Sequence, residues 1–338
     1  MENKKNIDLS AFPESDILDL RICDLPLSIE GTYLKDRVNE LYSDLDKKGI
    51  SFKPECYLAD EWLTPDGEPV IGIPFFLAHP VLVRLERKMM LEVEGGNKQW
   101  CMKLLRHEAG HAFNYAYKLY RRKQWQRIFG KFTQEYKDTY RFRPYSKSFV
   151  KHLEDYYAQY HPDEDFAETF AVWLNPQIDW KKQYAGWKAL EKLNYVDDVF
   201  SEIKGKPPLR PRGEKYWRAA KLRIKLKNFY RKKKQVWAES FPDFHDVNLK
   251  RIFGENKSAR LSAADLIRDY RKEILNSVSF WTGEKKYIID DLLGTLIQRC
   301  RSLKLVAEDK NTAVLKVSVY ITALIMNYVY TGTFRRSS

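Results

Sequence analysis

A helix-rich α+β fold is what the sequence predicts: a small β-sheet and one long helix in the first part of the chain, then an α-helical C-terminal region. Three observations carry that expectation. The stretch LLRHEAGHAFNYAY, residues 104–117, sets apolar residues and two histidines at helical spacing. The runs VIGIPFFL, VLVRLE and MMLEVE, from residue 70 on, are short and apolar or β-branched, and Pro74, Pro80 and Gly95-Gly96 punctuate them as they would punctuate strands. Near the C-terminus, LSAADLIRDYRKEIL and KKYIIDDLLGTLIQRCRSL again repeat apolar residues with helical period.

The elements follow in order. Residues 1–50 form an N-terminal helical segment, with Leu34, Val38, Leu41 and Leu45 on one face. A turn, TPDGEP, precedes the β-leaning runs. Asn97 is the N-cap expected for a long helix running to about Arg127, with Gly130 at its end. A Tyr/Arg-rich connection leads to a second helix in HPDEDFAETFAVWL, where Pro162 takes the first helical position and acids fill the first turn. It stops near Asn175-Pro176. After Phe200, KGKPPLRPRG has the composition of a linker, and EKYWRAAKLRIKLKNFYRKKKQ reads as a basic helix. The chain is thus expected to divide into residues 1–50, a central domain over 51–200, a basic linker and helix over 201–235, and a helical region over 236–338.

Apolar residues make up 44% of the 338, enough for a sizeable core, so global disorder is excluded. The net charge of +13 is local: residues 204–234 hold fourteen Lys and Arg against the single acid Glu214. Cys23, Cys56, Cys101 and Cys300 show neither CxxC pairs nor a disulfide framework. The N-terminus lacks the apolar core of a signal peptide, and the apolar run at 317–330 is short for a bilayer and reads as a buried helix or strand. A soluble, cytoplasmic protein without a transmembrane segment is the expectation.

His107-Glu108-Ala109-Gly110-His111 is HExxH. On a helix, residues four apart share a face, so both imidazoles can address one ion. Glu108 stands beside them, where its carboxylate can take the proton of a water that the metal has made acidic. Gly110 in mid-helix costs about 1 kcal/mol against Ala, and close approach of another backbone would be a reason to keep it. Catalytic zinc needs a third protein ligand. The remaining histidines, His79, His152, His161 and His245, offer little pattern. Glu164 and Glu168, four apart in EDFAE, are stronger candidates: one carboxyl can bind metal while the other accepts the outer N–H of a ligand histidine.

HEAGH followed by EDFAE resembles the gluzincin zinc peptidases, with HExxH, a gap, then ExxxD or ExxxE. More narrowly, RFRPYSKSFVKHLEDYYAQYHPDEDFAETFAVWL resembles a bacterial family of zinc-binding metallopeptidases. The similarity spans roughly residues 55–200 and is most specific from His107 to Leu174. It implies a zincin-like core holding one zinc per chain, with His107, His111 and Glu164 as ligands, Glu108 as general base and Glu168 behind a ligand histidine. It also implies peptide or protein substrates and an oxyanion-stabilising tyrosine seven residues before the ligand glutamate. Here that position is Tyr157, with Tyr156 and Tyr160 close by. Many gluzincins carry Asp where this chain has Glu168, so Glu168 stays open as the alternative third ligand.

The basic segment interleaves its charges with Trp217, Leu222, Phe229 and Tyr230. Arg218, Lys221, Arg223, Lys225, Arg231, Lys232, Lys233 and Lys234 are its candidate phosphate contacts, for nucleic acid without sequence preference or for an anionic surface. The plainer reading is a solvated amphipathic helix. Arg141 and Arg143 are expected to clamp Asp163 and Asp165, with contact to a substrate carboxylate as the alternative, and His79 is expected to be structural. The competing function is therefore a nucleic-acid- or anionic-surface-binding protein whose zincin core is not catalytic.

Overall fold

The computed structural model describes residues 8–136, 143, 145–153, 156–235, 245–254 and 261–331. It is helix-rich, with two small two-stranded sheets, and its chain forms two compact units: residues 1–86 with 93–227, and residues 87–92 with 228–338.

In chain order the first unit begins with α1 (Glu14–Asp19) and α2 (Tyr33–Lys47), followed by strands β1 (Glu55–Ala59) and β2 (Val70–Pro74). Next come α3 (Pro80–Met90), α4 (Lys98–Ala116), α5 (Lys123–Phe129), α6 (Pro162–Leu174), α7 (Trp180–Gln183), α8 (Ala189–Ile203) and the start of α9 (Leu226–Gln235). The α2 face foreseen from Leu34, Val38, Leu41 and Leu45 is buried. Strands β1 and β2 pair in parallel, with Tyr57 opposite Gly72. On its other side, Gly72 exchanges both backbone hydrogen bonds with Leu63. At Gly72, the middle residue of β2, no backbone group is therefore left for an extended peptide.

The runs VLVRLE and MMLEVE are not strands. Pro80 opens α3, which carries the chain to Met90, and Leu82, Leu85 and Met90 are buried at helical spacing. The β-branched Val81 and Val83 misdirect the strand reading, because tertiary burial overrides a weak local propensity.

Helix α4 starts where Asn97 was expected to cap it: the Asn97 side chain accepts from the Trp100 N–H. It ends at Ala116, well short of Arg127, because Lys118 turns left-handed (φ +50°) and a 3₁₀ turn follows over Leu119–Arg121. That break swings α5 round so that Trp125 and Phe129 bury against Phe166, with ring centroids 6.0 and 5.4 Å away. Gly130 closes α5 (φ +119°). Apolar periodicity cannot register a left-handed lysine.

Helices α4 and α6 meet at Gly110. A Cβ there would lie 2.7 Å from Ala167 Cα and 3.0 Å from its carbonyl oxygen, so only glycine lets the two main chains come this close. Around the contact, Phe113, Phe170 and Phe200 pack ring to ring at 5.1–5.4 Å. The other side of α4 is tied to α2 by a buried ion pair, in which Arg106 Nε and Nη2 donate to Asp44 Oδ2 at 3.1 and 2.7 Å. On α6, Lys192 Nζ, from α8, donates to Asp165 at 2.6 Å.

Residues 214–225 are not the expected helix. Beyond a 3₁₀ turn at Ala219–Lys221, they run as a strap: Arg218 bridges to Ala59, Leu222 and Ile224 accept from Cys23 and Ile22, and Lys225 bridges to Arg21. Trp217 is left-handed (φ +47°), and helix begins only at Leu226. Upstream, Pro207, Pro208 and Pro211 cannot donate backbone hydrogen bonds, and Arg210 anchors this stretch on Glu68 and the Gly67 carbonyl. Several of the supposed phosphate contacts have protein partners. Lys225 pairs with Asp19, as does its neighbour Lys227, which was not among those candidates, and Arg231 donates to Asn228. Lys233 lies over the Phe229 ring, while Arg218, Lys221, Arg223 and Lys232 extend along the strap and α9. The Lys234 side chain lies outside the described residues.

The second unit gathers α10 (Asp246–Ile252), α11 (Ala263–Asp269), α12 (Arg271–Thr282), α13 (Lys286–Ser302) and α14 (Lys310–Thr331) around a core including Leu249, Ile267, Leu293, Val317 and Ile321. Short strands β3 (Leu261–Ser262) and β4 (Val306–Ala307) pair antiparallel. The apolar run 317–330 is helical, within α14. Among the described residues, no helix is long and apolar enough to cross a membrane.

Candidate metal centre

Two helices build the site. Helix α4 carries His107, Glu108 and His111 on its buried middle turns. Helix α6 starts at Pro162 with His161 as its N-cap, whose Nδ1 accepts from the Asp163 N–H, and it brings Asp163, Glu164 and Glu168 to the α4 face. The close approach at Gly110 sets the spacing between the two sets.

Three donor atoms form a near-equilateral triangle. His107 Nε2 and His111 Nε2 lie 3.1 Å apart, and Glu164 Oε2 is 3.2 Å from each. Around a tetrahedral ion with bonds of about 2.0–2.2 Å, donors stand about 3.3–3.6 Å apart, so the triangle is within a few tenths of an ångström of what one such ion needs.

The outer nitrogens fix the tautomers. His107 Nδ1 faces Glu168 Oε1 at 2.8 Å, and His111 Nδ1 faces Asp163 Oδ2 at 2.9 Å. Each Nδ1 therefore carries a hydrogen, so each Nε2, on losing any second proton, turns a lone pair inward. Two lone pairs and a carboxylate oxygen this close repel one another until a cation or a proton comes between them. The residues fit a divalent metal by geometry and by donor chemistry.

Charge follows the same logic. Burial alone would lower His107, but hydrogen bonds to Glu164 and Glu168 outweigh it and hold it up at about 9. His111 is likewise pushed down by burial and raised well above its usual value by Asp163 and Glu164. Burial disfavours the Glu164 charge, yet His111 and the hydrogen bonds from both imidazoles hold its carboxyl well below the usual range. Glu168 is lowered too, with His107 overcoming burial. Glu108 goes the other way: buried, it is raised by desolvation against the pull of both histidines.

The site opens into a cleft of about 680 Å³ lined by Trp62, Leu63, Thr64, Phe132, Tyr136 and Tyr157, among others. Thr64 fastens one wall by donating from Oγ1 to the Glu108 carbonyl at 3.0 Å. Of the three candidate tyrosines, Tyr157 lines the cleft, its ring centroid 5.7 Å from that of His107. Tyr156 is the left-handed residue before it, and Tyr160 packs beside it at 5.8 Å.

Some expectations fail here. Among the described residues, no arginine is bonded to Asp163 or Asp165. Asp163 accepts from His111, from Asn114 Nδ2 at 2.6 Å and from Tyr115 Oη at 2.6 Å, while Asp165 is held by Lys192. The backbone N–H of Arg143 donates to Gln159, and Arg141 lies outside the described residues. His79 is structural, its Nδ1 accepting from the Val81 N–H. His152 and His161 likewise bond to backbone, through Nε2 to the Lys103 and Gln134 carbonyls.

Sequence reasoning missed Asp163 as the partner of His111, and Tyr136, whose hydroxyl donates to Glu164 Oε1 at 3.1 Å. Asn114 and Tyr115 were legible in principle, being three and four residues after His111 and so on its helix face. Tyr136 gave no local signal.

No curated protein and no solved structure matches this chain. Residues 88–194, which contain both site helices, match the model of a family described as a putative zinc-binding metallo-peptidase.

Proposed function

We propose that the protein is a zinc-dependent peptidase of gluzincin type, with a zincin-like core built on α4 and α6. The observation that carries this reading is the triangle of His107, His111 and Glu164 donor atoms on the floor of an open cleft, with Glu108 beside it. A zinc ion held there supplies Lewis acidity, polarising a scissile carbonyl and acidifying water. Glu108, its proton affinity raised by burial, accepts the water's proton and returns it to the leaving amine. The Tyr157 hydroxyl, kept protonated chiefly by burial, donates to the oxyanion. Glu168 and Asp163 hold the two imidazoles in the inward-facing tautomer.

A peptide backbone has a place to lie. Leu63 spends its N–H and C=O on Gly72, and its neighbours Trp62 and Thr64 line the cleft. This edge, rather than β2 itself, is the one for an extended substrate. The cleft walls also carry Asp66 and Glu135, and no Lys or Arg is among the described residues that line it, in a chain of net charge +13. Peptides with Lys or Arg near the scissile bond should therefore show a KM about tenfold lower at low salt than acidic ones, an advantage that shrinks as salt is added. Equal KM for both at low salt contradicts the electrostatic account.

Metal analysis of the purified chain, together with a peptide-library digest, tests the main reading. One zinc per chain and chelator-sensitive cleavage support it; a chain that takes up no zinc from a zinc-supplemented buffer overturns it. Zinc uptake should also displace protons, because metal-free His107 holds its proton up to about 9. At neutral pH, binding should acidify a weakly buffered solution, and apparent affinity should climb as pH rises toward that value. Calorimetry in buffers of different ionisation enthalpy measures the number released.

A further inference from the structure

Glu164 has two oxygens, and the triangle uses one of them. Its Oε1 accepts the Tyr136 hydroxyl at 3.1 Å. Tyr136 comes from the segment after α5, not from either site helix, and that segment is fastened to the start of α6 at two further points. The Tyr136 ring stacks on His161, with centroids 3.9 Å apart and 15° between planes. His161 Nε2–H donates to the Gln134 carbonyl at 2.7 Å while its Nδ1 accepts from the Asp163 N–H. One imidazole thus caps α6, carries the tyrosine on its face and holds the preceding loop by its edge. Tyr136 itself is half exposed, with its hydroxyl end turned into the cleft.

We infer that Tyr136 is a positioning residue for the Glu164 carboxylate, holding it so that Oε2 alone meets the two imidazoles. A carboxylate free to rotate about its terminal torsion can present either oxygen or both. A hydrogen bond to Oε1 removes that freedom before any ion arrives, so less order has to be gained on binding. Residues 131–136 therefore do more than wall the cleft: through His161 and Tyr136 they couple its rim to the geometry of the third donor. This rests on the proposed metal-centre reading.

The test is Tyr136→Phe, which keeps the ring on His161 and removes only the hydroxyl. Zinc affinity is read by competition with a chromophoric chelator, alongside the thermal unfolding of the metal-free protein and kcat at saturating zinc. The expected result is about tenfold weaker zinc binding, an unchanged metal-free unfolding curve, and kcat restored once zinc saturates. Wild type that binds zinc, with Tyr136→Phe binding it equally well, overturns the inference alone. Weaker binding with a kcat that saturating zinc does not restore also overturns it, since Tyr136 would then act on the reacting atoms. Wild type that takes up no zinc removes the metal-centre reading and this inference with it. His161→Ala gives a second readout: by loosening the same loop it should weaken zinc binding as well, and unchanged affinity there contradicts the coupling through the imidazole.

Discussion

Glu108→Gln is expected to lower kcat by on the order of 10²–10⁴-fold while zinc content stays at the wild-type level. The substitution is isosteric, and Glu108 is not one of the three donors of the triangle. On the proposed reading, what it removes is a proton acceptor whose affinity burial has raised. The amide cannot take a proton from water or return one to the leaving amine. KM should change little, because the Trp62–Thr64 edge and the acidic walls are untouched. Loss of zinc together with activity would mean that Glu108 is a structural ligand, and activity close to wild type would eliminate it as the base.

The second large effect is on stability and needs no assumption about chemistry. Asp44→Ala leaves the Arg106 guanidinium in a site where arginine and aspartate are 5% and 2% exposed, with its main acceptor gone. Removing one partner of a buried pair costs about 3–5 kcal/mol, whereas replacing both by apolar groups of similar volume is often close to neutral. The double variant Asp44→Leu/Arg106→Met should therefore recover most of what Asp44→Ala loses in a denaturant titration. Arg106 immediately precedes His107, so the single variant should weaken zinc binding as well. A single variant within about 1 kcal/mol of wild type would show that water satisfies the guanidinium.

How much of this was legible in the sequence depends on the range of the interactions. Both site helices announced themselves locally. Asn97, Pro162 and the acids after it are end signals that act within one turn, and the i, i+4 spacing of His107 with His111 and Glu164 with Glu168 follows from helix geometry alone. What failed was set at longer range. The α3 segment reads as strand because its valines favour one, yet burial of Leu82, Leu85 and Met90 makes it helix. The basic segment has helical periodicity throughout, yet residues 21–23 and 59 offer backbone partners to its first half, which becomes a strap, and only Leu226–Gln235 is helix. Asp163 looked like an ordinary helix-start acid, and only the fold brings Asn114, Tyr115 and His111 onto it. Tyr136 lies 28 residues before Glu164, outside the reach of any local pattern.

The contact at Gly110 has a bearing on ion choice. Because the imidazoles ride on one main chain and the carboxylate on the other, the gap between these backbones helps set how far the carboxylate stands from the imidazoles. A methyl group at position 110, meeting Ala167 Cα at 2.7 Å, forces the rods apart by tenths of an ångström and widens that separation with them. On the proposed reading, discrimination between zinc and a bigger ion such as cadmium is then written into a missing side chain that never touches the metal.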